Sequence, residues 1–194
     1  MKYLIISMTI TLSTLAACNN SSNSTAEDIK NSDTGHTAMA TATAATTNST
    51  AASVKELVSH YLHIKNALAN DDGKEAANGG KAMVESFAKF DQSALTAEQK
   101  KTYADISDDA REHAEHIGMN ADMIAHQREH FSTLSKDIYD LVKTLGSGQT
   151  LYQDYCPMYN NNKGATWLSE TREINNPYFG KKMPACGSIK ETLQ

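Results

Sequence analysis

Apolar residues recur at three- and four-residue intervals in four successive stretches of this chain, and the pattern breaks between them at glycine, asparagine and aspartate. Val54, Leu57, Val58, Tyr61, Leu62, Lys65 and Leu68 form the first stripe, the periodicity of an amphipathic helix over residues 54–69. Ser53 and Glu56 stand at capping-box spacing, so the pattern predicts a helix starting there and ending at Asn70-Asp71-Asp72-Gly73. Asp72 and Glu75 repeat the spacing ahead of a second stripe, Ala76, Gly80, Met83, Phe87 and Phe90, over residues 73–90. Thr96 and Gln99 repeat it again before Tyr103, Ile106, Ala110, Ala114 and Ile117, over 97–117. The fourth stripe, over 121–145, is Met123, Gln127, Phe131, Leu134, Ile138, Leu141 and Leu145.

Four such helices with short connections predict a mainly α fold, an antiparallel up-down-up-down bundle. Gly79 and Gly80 each weaken the second helix by roughly 1 kcal/mol, and they leave room for a neighbour to pack close. Gly118 is expected to end the third helix and Asn120 to cap the fourth. After Gly146-Ser147-Gly148 the helical period stops. Asn160-Asn161-Asn162, Asn175-Asn176-Pro177 and Gly180 are turn formers, so residues 147–194 read as a loop-rich unit with short strands at most. Its aromatics, Tyr152, Tyr155, Tyr159, Trp167, Tyr178 and Phe179, suffice for a small satellite core against the end of the bundle.

The N-terminus has a different character. MKYLIISMTITLSTLAAC carries one lysine, an apolar run and small residues before Cys18, the layout of a secretory signal too short to span a membrane. Leu15-Ala16-Ala17-Cys18 resembles the bacterial lipobox, so residues 1–17 are expected to be removed and Cys18 to be acylated, anchoring the chain by lipid. Residues 18–52, rich in Asn, Ser, Thr and Ala, read as a disordered tether, followed by the bundle at 53–146. Asn19, a non-acidic residue after the lipidated cysteine, points to the outer membrane and a periplasmic location. Loss of residues 1–17 leaves 17 basic and 23 acidic residues, a net charge of −6, and no basic patch of the kind that binds nucleic acid.

The chemistry-bearing residues gather in the tail. Cys156-Pro157-Met158 and Met183-Pro184-Ala185-Cys186 bring two thiols and two thioethers, and soft sulfur ligands select Cu(I) and Ag(I). Two cysteines in an exported chain also pair readily, and a Cys156–Cys186 disulfide closing a loop of about thirty residues would be worth roughly 3–4 kcal/mol. Spacing alone leaves both readings open and favours the disulfide slightly. On the helices, His113 and His116 face His126 and His130 across a predicted turn at 118–120 that sets His113 level with His126. Neutral imidazoles so placed suit a divalent ion, but with no H-E-x-x-H and no E-x-x-H repeat the reading favoured is of boundary histidines at the helix edges, with His116 or His126 as helpers to the tail's sulfur ligands. No Ser-His-Asp or Cys-His arrangement and no glycine-rich phosphate loop occurs, so the chain is not expected to be an enzyme.

Y-x-x-Y-C-P-M, K-G-A-T-W-L-S, E-I-N-N-P-Y-F-G and M-P-A-C-G, preceded by Q-R-E-H-F-S-T-L-S on the last helix, resemble a bacterial family known only as a domain of unknown function. That family occurs in exported lipoproteins and at the C-terminus of some periplasmic adaptor subunits of copper and silver efflux pumps. The resemblance spans about residues 53–190. It implies a helical bundle with Cys156, Met158, Met183 and Cys186 at the family's sulfur positions and Gln127, Arg128 and Phe131 in its last-helix block. With it, the balance moves to a tethered protein that buffers Cu(I) or Ag(I), or passes it to efflux components. The alternative is a disulfide-stapled module that docks on an envelope complex without metal.

Overall fold

The computed structural model describes the backbone of residues 37–194 and the side chains of residues 49–194, within one compact unit. The signal segment and Cys18 lie outside the described residues. Four helices come first: α1 (Thr37–Ala69), α2 (Gly73–Ala88), α3 (Ala97–Met119) and α4 (Ile124–Leu145). Each packs on the next, and α4 also lies against α1, closing the expected bundle. Two of the predicted starts are capped as their spacing requires. The Asp72 side chain accepts the Glu75 N–H, and Thr96 and Gln99 close a reciprocal capping box.

The start of α1 differs from expectation. Ser53 does not cap it: its hydroxyl donates to the Ser49 carbonyl one turn back, so it sits inside a helix that already runs from Thr37. The second half of the segment read as a disordered tether is therefore helical. Upstream of Ser53 lies an alanine-rich run, and alanine propagates a helix once packing has nucleated it. The other end of the bundle also differs. Asn120 is the C-cap of α3, its amide donating to the His116 carbonyl at 2.7 Å, and α4 begins only at Ile124.

Gly79 and Gly80 do allow close packing. A Cβ on Gly79 would lie 2.8 Å from Ile64 of α1, and one on Gly80 would lie 2.6 Å from the Ala114 carbonyl and 2.7 Å from the Gly118 nitrogen of α3.

The tail folds as a three-stranded antiparallel sheet of order β2-β1-β3, with β1 Leu151–Cys156, β2 Ala165–Ser169 and β3 Ser188–Leu193. A left-handed turn joins β1 to β2, with Asn160, Asn161 and Asn162 all at positive φ, a conformation asparagine tolerates better than other side chains. The aromatics do not form a separate satellite core. Trp167 and Tyr178 belong to the same buried cluster as the helices, because Tyr61 and Phe131 reach out of the bundle to meet them. Tyr61 stacks on Phe131 at 5.2 Å and accepts the Leu168 N–H at 2.9 Å, while Phe131 lies 5.9 Å from Tyr178.

Candidate metal centre

α3 and α4 run antiparallel, and their facing edges carry four histidines. The connection 120–123 is longer than a tight turn at 118–120. It therefore shifts the pairing by about one helical turn, so His113 meets His130 rather than His126. The Nδ1 atoms of His113 and His130 are 2.9 Å apart, and the Nε2 atoms of His130 and His126 are 3.2 Å apart. His116 lies flat on His130, ring centroids 4.3 Å apart and planes within 4°. One ligand nitrogen from each of His116, His126 and His130 lies within 4.8 Å of the others.

These distances suit a shared ion. Two nitrogens bound tetrahedrally at about 2.0–2.1 Å stand roughly 3.4 Å apart, close to the His126–His130 separation. His116, stacked parallel to His130, must turn its ring to aim a lone pair at the same point. Its side chain is 43% exposed, so the turn is free. Carboxylates back the rings: Glu129 is 3.7 Å from Nδ1 of His126, and Glu112 is 3.8 Å from Nε2 of His116. Such outer partners orient a ligating imidazole and raise its basicity. Burial and the three neighbouring imidazoles push the His130 pKa down to about 4, which keeps that ring neutral and its lone pair available at neutral pH.

His116 and His126, expected as helpers to the tail's sulfur ligands, sit here with His113 and His130, and His130 is the ring that touches all three others. Met119, the last residue of α3, and Met123, which precedes α4, are both exposed and sit three residues from His116 and His126.

The tail brings its two thiols together. Cys156, fully buried at the end of β1, has its Sγ 2.7 Å from Sγ of half-buried Cys186, and both are free thiols. Burial and the adjacent Cys156 thiol push the Cys186 pKa up to about 11, so Cys186 is protonated at neutral pH. Two sulfurs sharing one tetrahedral ion at about 2.3 Å lie roughly 3.8 Å apart, so a shared metal requires these two to separate. Met158 is half exposed on the turn after β1, and Met183 follows the short 3-10 turn Gly180–Lys182.

The family block on α4 has a positional role. Gln127, fully buried, donates from Nε2 to the carbonyls of Gly73 at 2.8 Å and Ile117 at 3.0 Å, tying α4 to the starts and ends of α2 and α3. Residues 57–150 match a family described as protein of unknown function (DUF3347). That segment is similar to this family. It holds the four clustered histidines and stops one residue before β1, so the sulfur residues lie beyond it. No curated protein and no solved structure matches the chain.

Proposed function

We propose that this protein binds a transition-metal ion of the copper and zinc class between α3 and α4 and buffers it or hands it on. His116, His126 and His130 are the ligands. The carrying observation is the approach of the His126 and His130 Nε2 atoms to 3.2 Å within a three-imidazole group backed by carboxylates. Three protein ligands leave a fourth position open, which suits exchange with a partner better than permanent storage. The exposed thioethers of Met119 and Met123 near the same end favour copper, since soft sulfur and imidazole both suit it. Export, a lipid anchor at Cys18, an outer-membrane periplasmic setting and delivery to efflux components are part of the same reading. Among the described residues no helix is long and apolar enough to cross a membrane.

The test is calorimetric titration of the full chain with Zn(II) and with Cu(II). One tight equivalent that disappears in the His116→Ala/His126→Ala/His130→Ala variant is expected. Unchanged tight binding in that variant overturns the reading.

The tail supports a second reading. Its thiols stand close enough to join, which favours the disulfide-stapled interaction module over a Cu(I) or Ag(I) site made by Cys156, Met158, Met183 and Cys186. Cu(I) titration of reduced protein against a competing chelator separates the two, because only the sulfur site loses affinity in the Cys/Met quadruple variant.

A further inference from the structure

One helical turn from the three-histidine group, the same pair of helices carries a second convergence of donor atoms. Asp109 and His113 of α3 and Asp137 of α4 each offer one ligand atom, all within 4.8 Å of one another. The Asp109 carboxylate is 3.7 Å from Nε2 of His113. Asp137 presents a buried Oδ2 that has no hydrogen-bond partner. Buried polar atoms are almost always satisfied, so an orphaned carboxylate oxygen beside a second carboxylate is positioned to accept a cation. Among the described residues neither aspartate forms an ion pair with lysine or arginine.

We infer that Asp109, His113 and Asp137 form a second site, selective for a divalent cation and distinct in chemistry from the three-histidine centre. Two carboxylates and one imidazole are a hard-to-borderline set that fits Zn(II), Co(II) or Mn(II) and rejects Cu(I) and Ag(I). The site stands on its own geometry. Its link to the neighbouring centre rests on the reading proposed above.

That link is the hydrogen bond between the Nδ1 atoms of His113 and His130. His113 turns Nε2 toward Asp109, while His130 turns Nε2 toward His126. An imidazole bound to metal through Nε2 keeps its proton on Nδ1. A single N–H···N bond accommodates one such proton, so both centres cannot fill with this bond intact. The second ion therefore binds more weakly than the first.

Zn(II) titration of the full chain by calorimetry, paired with Co(II) absorption spectra, tests the inference. Two equivalents are expected in the parent, the second at least about tenfold weaker, and one in Asp109→Asn/Asp137→Asn. Asp109→Asn alone, at an exposed position, weakens the second equivalent without risk to folding, and circular dichroism confirms the helices in each variant. Two equivalents retained in the double variant, or only one in the parent that survives it, overturn the second site while leaving the three-histidine reading intact. One equivalent that survives loss of His116, His126 and His130 but not of the aspartates supports this site and overturns that reading. No binding in the parent overturns both.

Discussion

The guanidinium of Arg128 meets the carboxylate of Asp71 at 2.6 Å, joining the second turn of α4 to the turn between α1 and α2. The same side chain donates to the Leu68 carbonyl at 2.8 Å and, through Nε, to the Pro177 carbonyl at 2.7 Å. Asp71 in turn accepts the Lys181 N–H. One ion pair thus pins the tail to the bundle from two sides. Arg128→Ala is expected to destabilise the protein by about 2–4 kcal/mol, since it strips partners from two carbonyls and a carboxylate at once. Arg128→Lys should lose about half of that, because an ammonium cannot reproduce the planar fork. Chemical denaturation of the three proteins checks the order.

Asp154 makes a pH-dependent prediction. It is fully buried in β1 with neither carboxylate oxygen bonded, and burial pushes its pKa up to about 7. An unfolded aspartate ionises near pH 3.9, so between about pH 4 and 7 the folded chain holds a proton that the unfolded chain has lost. Stability therefore falls as pH rises through that window, and the loss is complete above it. Asp154→Asn removes the ionisation and should stabilise the protein by on the order of 2–4 kcal/mol at pH 8 and by much less at pH 4.5. Equal effects at the two pH values would show that this carboxyl is not the titrating group.

The thiol pair carries a redox prediction. Mild oxidation of the full chain should remove two hydrogens by mass, with Cys186→Ser blocking the loss, because the two Sγ atoms already stand 2.7 Å apart. The resulting crosslink should raise unfolding stability by about 3–4 kcal/mol relative to reduced protein. If oxidised protein takes up Cu(I) at the tail as tightly as reduced protein does, the two thiols are not the ligands.

What could be read in the sequence followed the range of the interaction that decides it. Asp72 and Thr96 were legible as caps because the cap and the amide it binds lie three residues apart. Ser53 shared that spacing and was not a cap, since the alanine-rich chain before it also holds a helix. The four histidines were legible as a group, but their pairing was not. It depends on where α4 begins after Asn120, and that is set by Gln127 reaching back to Gly73 and Ile117. No motif in the sequence marks Asp137. Only the approach of α3 turns it inward to His113 and leaves Oδ2 without a partner. The tail's strands were expected to be short, and they are. Its merger with the main core depends on Tyr61 and Phe131, which lie far from it in sequence.

His113 should act on the three-histidine centre without belonging to it. Its Nδ1 holds His130 in orientation from 2.9 Å away, and loss of such an outer partner typically costs 10–100-fold in metal affinity. His113→Ala is expected to weaken the first Zn(II) equivalent by about that factor while leaving its stoichiometry at one. A fall of several thousandfold would instead make His113 a direct ligand of that ion.

Gly80 offers the last test, because it touches no histidine. A methyl group there would press on the Ala114 carbonyl at 2.6 Å and the Gly118 nitrogen at 2.7 Å, backbone atoms that cannot rotate away. Ala114 lies between His113 and His116, so pushing this stretch of α3 outward moves two of the four imidazoles against α4. Helix propensity alone would make Gly80→Ala stabilising by about 1 kcal/mol. The clash should outweigh it, giving a net loss of roughly 1–3 kcal/mol, together with a weaker first Zn(II) equivalent. Gly79→Ala is the control. Its methyl meets Cγ1 and the backbone nitrogen of Ile64 and the ring of His63 on α1, away from the four histidines of α3 and α4, so it should lower stability and leave metal affinity within about threefold of the parent. Equal losses of affinity in the two variants would mean that global destabilisation, and not the placement of α3, governs the centre.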